Sequence, residues 1–198
     1  MRITAIATAI GTVGFLFALG AQAVAPNAFD PFVGNWSAAL EYKDYQGGTG
    51  RVKVSVTLEV KSSDASTANW YFDYDDFGKT VISDETHSWK PNKNSGKYTG
   101  KYTGKYTGKY TGKYTGKYTG KTKGKLEVQE YLSKDFAALI KSGVGKAVLI
   151  GSELEDGKKV EVRRTITLEK TGLRTLKETR PPNGSFAFRN QSTYSRSK

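Results

Sequence analysis

Between Arg51 and Lys61 every even-numbered residue is apolar (Val52, Val54, Val56, Leu58, Val60) and every odd-numbered one is polar. Successive side chains of a strand point to opposite faces, so this alternation specifies a strand with one dry and one wet face. A helix would repeat its apolar positions every three to four residues instead. The same period returns in Val160, Val162, Ile166 and Leu168, opposite Lys159, Glu161, Arg163, Thr165, Thr167 and Glu169. Trp36, Ala38, Leu40 and Tyr42 form another such face, and Trp70, Phe72 and Tyr74 a fourth, opposite Tyr71, Asp73 and Asp75.

Turn-forming residues separate these runs at Gln46–Gly50, Ser62–Asp64, Asp75–Gly78, Glu155–Gly157, Lys170–Gly172 and Pro181–Gly184. The pattern predicts strands over roughly 35–45, 50–61, 67–75, 79–90, 125–132, 145–155, 158–169, 172–180 and 185–195. Asp135–Ser142 reads as one short helix or a further strand. Strands joined by short loops pair antiparallel with their neighbours, and about nine or ten of them must hide two sheet edges. The expected fold is therefore all-β: a single antiparallel up-and-down β-barrel. A two-sheet sandwich is the alternative. A membrane barrel fits less well, because many strand faces carry Lys and Glu.

The first 23 residues read as a secretory signal. A short basic start (Met1-Arg2) precedes the apolar stretch Ile3–Leu19, and Ala21-Gln22-Ala23 has the small-x-small spacing of a cleavage site. The expected mature chain, 24–198, is secreted or periplasmic and has no transmembrane segment. It contains no cysteine, so a hydrophobic core, not disulfides, must hold it together.

Six uninterrupted copies of Lys-Tyr-Thr-Gly run from Lys97 to Gly120. Glycine at every fourth position weakens a strand, and no aliphatic residue is present to build a core. The expectation is a barrel domain interrupted by a repeat insert over 97–124, projecting as a loop or hairpin. If extended, it would show Lys and Thr on one side and Tyr and Gly on the other. From Lys97 to Lys125 there are nine lysines and no acid, in a chain of formal net charge +12. The basic character thus belongs mostly to this segment. Lysines neutralise anionic groups and tyrosines stack on rings, which makes Lys97, Tyr98, Lys101, Tyr102, Lys105, Tyr106, Lys109 and Tyr110 candidate contacts for an acidic polysaccharide or other polyanion. An export signal argues against nucleic acid as the physiological partner.

Catalytic and metal-binding patterns are sparse, so no enzyme, metal or cofactor is expected. His87 is the only histidine, no nucleophile elbow, phosphate loop or dinucleotide fingerprint is present, and on a strand His87 reads as a surface residue. Adjacent Asp84 and Glu85 must point to opposite faces. Arg164 stands out because it is in phase with the apolar face of its strand. Either it packs on an aromatic such as Trp36 or pairs with an internal acid, or it lines a cavity and meets an anionic head group. Trp36, Tyr42, Trp70, Phe72, Tyr74, Arg164 and Phe188 together have the composition of a ligand pocket, and the same aromatics could fill a dry core.

Phe32-Val33-Gly34-Asn35-Trp36 resembles the Gly-x-Trp start of the first strand in lipocalin-like (calycin) β-barrels. Glu178–Pro182 followed by Phe186–Asn190 is similar to the ends of uncharacterised secreted bacterial proteins of lipocalin-like shape. The resemblance spans about 32–90 and 125–196. It implies an arginine packed across the tryptophan, for which Arg189 and Arg196 are candidates. It also implies non-catalytic carriage of a small lipophilic or amphipathic ligand.

Overall fold

The computed structural model describes residues 27–44, 50–75, 80–106, 122–123, 127–155 and 157–197. The expected signal segment 1–23 and the candidates Lys109 and Tyr110 lie outside these residues. The strands are β1 (Gly34–Lys43), β2 (Arg51–Asp64), β3 (Thr67–Asp75), β4 (Thr80–Pro91), β5 (Gly96–Tyr106), the two-residue β6 (Thr122–Lys123), β7 (Glu127–Ser133), β8 (Gly145–Glu155), β9 (Lys158–Leu168), β10 (Gly172–Arg180) and β11 (Ala187–Arg196). A short helix, α1 (Phe136–Ser142), separates β7 from β8, and a 3-10 turn (Asp30–Phe32) precedes β1.

Apart from β6, which pairs only with the end of β5, each strand bonds antiparallel to its chain neighbours, and β1 also bonds to β11. The sheet is a closed ten-stranded antiparallel barrel, so the sandwich alternative falls away. Closure runs through β5, which pairs with β4 from Val81↔Tyr106 to Pro91↔Gly96 and with β7 from Gly96↔Ser133 to Tyr102↔Glu127. Here the structure corrects the sequence reading. The first two repeats and part of the third are a wall of the barrel, and only the copies beyond Tyr106 fall between β5 and β7. The four-residue repeat is commensurate with the two-residue period of a strand. Tyr98 and Gly100 are accordingly buried on the inner face, while Lys97 and Lys101 are exposed.

The inner glycines make room for rings. A Cβ at Gly96 would overlap the Trp89 indole, and one at Gly100 would lie 2.7 Å from the Tyr102 hydroxyl. Gly151 does the same for Tyr131, with a Cβ falling 2.7 Å from Tyr131 Cδ1. Tyr131↔Gly151 and Leu132↔Ile150 are also the register pairs that join β7 to β8.

One end of the barrel is filled by an aromatic plug. Phe29 and Phe32, from the N-terminal turn, meet Phe136 of α1 at ring separations of 5.9 and 6.1 Å. Trp89 and Tyr98 pack on the same Phe136 ring at 4.9 and 5.2 Å. The Ser133 hydroxyl accepts hydrogen bonds from the Asp135 and Phe136 amides, which starts α1. Gly143, at φ +69°, ends it in the left-handed conformation glycine favours. Trp36 belongs to this plug: its Nε1 donates to the Phe32 carbonyl at 2.9 Å, and the Arg196 guanidinium lies 4.4 Å from its ring centroid. Arg196 also donates to the Val33 and Pro31 carbonyls, tying the last strand to the first.

Gly96→Ala should lower stability by about 1–3 kcal/mol in urea titrations, because the Trp89 ring must move. Gly50→Ala, with nothing within 4 Å of the new Cβ, should change it by less than about 0.5 kcal/mol.

Candidate functional site

Away from the plug, the inner face turns polar around a cavity of about 170 Å³. Its apolar wall comes from Leu40, Trp70, Phe72, Tyr74, Leu149 and Ile166; its polar wall includes Glu85, His87, Tyr98, Tyr102, Arg164 and Lys177. The register explains the convergence. Trp70 pairs with Glu85, Glu85 with Tyr102, and Arg164 with Lys177, and residues paired directly across an antiparallel sheet share a face.

Of the sequence-predicted pocket residues, Trp70, Phe72, Tyr74 and Arg164 line this cavity. Trp36 lies in the plug instead. Tyr42 is half-buried and packs against the core without reaching the cavity. Phe188 is on the outer face, with the Arg51 guanidinium 3.9 Å from its ring centroid. The reason is a bulge: Lys177 pairs with Asn190 and Glu178 with Phe188, so Arg189 is the extra residue and the alternation of β11 inverts across it. Arg189 itself donates to the Thr179 hydroxyl and pairs with Glu155, leaving Arg196 as the arginine on Trp36. Tyr98 and Tyr102, expected on a polyanion-binding surface, face inward. Lys97 and Lys101 stay exposed, with Lys97 paired to Glu130.

His87 departs most from its sequence reading. It is 2 % exposed and sits between two partners. Its Nε2 lies 3.0 Å from Glu85 Oε2, and its Nδ1 lies 2.6 Å from the Tyr98 hydroxyl. With Glu85 as a carboxylate, Nε2 donates to it, and in the neutral imidazole Nδ1 then accepts from the Tyr98 hydroxyl. Ser83 donates to the other Glu85 oxygen at 3.2 Å. Glu85 does point inward, as its alternation with Asp84 requires. The sequence signal that could have found His87 is its two-residue spacing from Trp89 and Glu85.

The second polar group centres on Arg164. Its Nη2 donates to Gln129 Oε1 at 3.2 Å, and its guanidinium carbon lies 5.3 and 5.7 Å from the Tyr131 and Tyr102 ring centroids. Gln129 Oε1 also accepts from the Tyr131 hydroxyl at 2.5 Å. Lys177 is paired with Glu153 at 2.7 Å, and burial, with Arg164 nearby, holds its pKa below the usual lysine range against that pairing. Among the described residues Arg164 forms no ion pair. Among the described residues, its Nε, the Tyr102 hydroxyl and the Trp70 Nε1 are buried without a well-formed hydrogen-bond partner. The Tyr102 hydroxyl nonetheless lies near the Arg164 guanidinium, which opposes the burial that raises the Tyr102 pKa, so its isolation is less complete than that of Arg164 Nε and Trp70 Nε1.

No family model matches the chain, and no curated protein matches it. Among solved structures, the chain is similar to the crystal structure of a protein of unknown function from the DUF3598 family of Nostoc punctiforme. That match is 7 % identical, covers 86 % of this chain and 98 % of the other, and has a TM-score of 0.21. At that level of superposition the likeness carries no argument. No helix among the described residues is long and apolar enough to cross a membrane.

Burial raises the pKa of Tyr74, Tyr98, Tyr102 and Tyr131 above the ordinary tyrosine value, and that of Tyr194 to about 12. A raised folded-state pKa means that the unfolded chain gives up its protons first. The resulting stability is complete below pH about 10 and is lost as pH climbs through the folded-state values. Tyrosinate absorbance followed during alkaline titration should show these buried hydroxyls ionising together in one step, coincident with loss of near-ultraviolet circular dichroism. Independent ionisation of each near pH 10 in the folded protein would contradict the burial.

Proposed function

We propose that the barrel binds a compact amphipathic ligand, about the size of one six-membered ring with an acceptor-bearing substituent, and performs no chemistry on it. The observation carrying this reading is that two buried donors without partners among the described residues, Trp70 Nε1 and Arg164 Nε, belong with the loosely held Tyr102 hydroxyl to the wall of one cavity. Each orphaned buried donor costs about 1–3 kcal/mol, more when charged. A carboxylate, phenolate or carbonyl oxygen in the cavity would satisfy them, with Arg164 supplying the charge and Phe72, Leu149 and Ile166 the apolar contact. The volume sets the size: an apolar cavity of about 150 Å³ accepts benzene, and most pockets for larger organic ligands exceed about 300 Å³. A long acyl chain is therefore disfavoured in this state of the cavity.

The arginine over Trp36 and the up-and-down topology support the lipocalin-like resemblance, and carriage or sequestration in a secreted or periplasmic setting is the role that fits it. Cleavage after Ala23 is part of this proposal. The polyanion reading retains the exposed lysines of the repeats but loses Tyr98 and Tyr102, which leaves simple charge attraction.

Benzoate, followed by tryptophan fluorescence, should bind, whereas dodecanoate should bind at least about tenfold more weakly. Arg164→Met should weaken benzoate by tenfold or more while leaving the melting temperature equal or higher, since removing a half-satisfied buried charge is often neutral or stabilising. Unchanged binding in the variant sinks the role of Arg164. If no small molecule co-purifies with the native protein and no compact acid, alcohol or ketone binds, the proposal itself fails. Deleting Lys109–Gly120 should reduce retention on a sulfated polysaccharide column roughly in proportion to the lysines removed, and 0.5 M salt should abolish it.

A further inference from the structure

The geometry points to an interchangeable tenth strand: β5 is specified only modulo one repeat, so any suitable run of Lys-Tyr-Thr-Gly copies can close the barrel and build the same cavity wall. This inference does not depend on what the cavity binds. It rests on three observations together: the six copies are identical, β5 is 11 residues long, and its inner face reads Gly-Tyr-Gly-Tyr against fixed partners.

A shift by one or three residues would turn Lys and Thr into the core and Tyr into solvent. A shift by two would set tyrosine where Gly96 lies under Trp89, and glycine where Tyr98 holds His87. A shift by four restores every contact. Gly100 then replaces Gly96, Tyr102 replaces Tyr98 at the His87 ring, and Tyr106 replaces Tyr102 beside Arg164. On the outer face, Lys101 takes over from Lys97 opposite Leu132 and within reach of Glu130. The identical sequence allows an 11-residue strand to begin at Gly96, Gly100, Gly104 or Gly108 with the same residue at every position.

The observed register is distinguished by what lies outside the strand. Starting at Gly96 keeps the β4–β5 turn at its tightest, closed by the Asn92 amide donating to the Ser95 carbonyl at 2.7 Å. Later starts lengthen that turn and shorten the β5–β7 connection by the same amount. Loop closure depends only weakly on length, so the difference between registers is small beside that of a lost core tyrosine. The surplus copies are therefore spare strand material. A lesion in the first copies is bypassed by sliding, and loss or gain of whole copies changes a connection while leaving the cavity as it is.

The test uses the full chain and its lack of native cysteine. Ser88 faces Thr99 across β4 and β5, so a Ser88→Cys, Thr99→Cys pair should cross-link on oxidation, and a Ser88→Cys, Thr107→Cys pair should not. Introducing Tyr98→Ala with Tyr102→Ala should reverse this, since sliding by two copies brings position 107 opposite 88. The melting temperature should then fall by no more than about 5 °C. Alanine at Tyr98, Tyr102, Tyr106, Tyr110, Tyr114 and Tyr118 together leaves no intact copy, and should lower it by more than about 15 °C or prevent folding. Persistence of the 88–99 link in the two-tyrosine variant overturns the inference. So does a loss of stability in that variant equal to that of the six-tyrosine variant.

Discussion

The strand that closes the sheet is the constraint on which the rest of this barrel depends. With β5 removed, β4 and β7 would each present a row of unpaired amides and carbonyls, and the interior would be exposed along one side. The same strand supplies Tyr98 to His87 and places Tyr102 beside Arg164. Closure of the fold and construction of its polar interior are thus one event. The inner glycines are as necessary as the tyrosines, because the Trp89 indole and the Tyr102 phenol occupy the space a larger residue would need.

Inside the barrel, polarity is graded along the axis. The plug of Phe29, Phe32, Trp36, Trp89 and Phe136 is dry and interlocked by ring contacts. Past Trp70 the inner face carries Glu85, His87, Arg164, Glu153 and Lys177, and here hydrogen bonds join ring contacts in organising the side chains. Most of these groups are satisfied by one another: His87 by Glu85 and Tyr98, Lys177 by Glu153. Among the described residues, the unsatisfied remainder is concentrated at Arg164, Tyr102 and Trp70. A fold meant only to be stable would gain by making these groups apolar, as replacement of buried charges in other proteins shows. Their position around one cavity is what supports the proposed binding reading.

Legibility in the sequence followed the strength of the two-residue period. Trp70, Phe72, Tyr74 and Arg164 were readable because their strands alternate without interruption. Phe188 was misplaced because the bulge at Arg189 inserts one residue, and a single insertion reverses every face beyond it. His87 was missed because the inner row of β4, Ser83-x-Glu85-x-His87-x-Trp89, is largely polar, so hydrophobicity does not mark it as internal. The repeat strand was missed for a related reason. Its inner row of Tyr and Gly has little aliphatic character, and glycine argues against a strand until the ring that occupies its space is known.

By itself the sequence determined the all-β class, the order and approximate bounds of nine strands, the inward arginine and the chemical two-sidedness of the repeats. All of these follow from local alternation and turn chemistry, which act over a few residues. Tertiary structure alone decided that the repeats complete the barrel, that His87 is buried between Glu85 and Tyr98, that Arg196 rather than Arg189 covers Trp36, and which donors are left without partners. Those outcomes depend on register between strands distant in the chain, and register is set by which side chains can share the barrel's interior rather than by any strand's own preference.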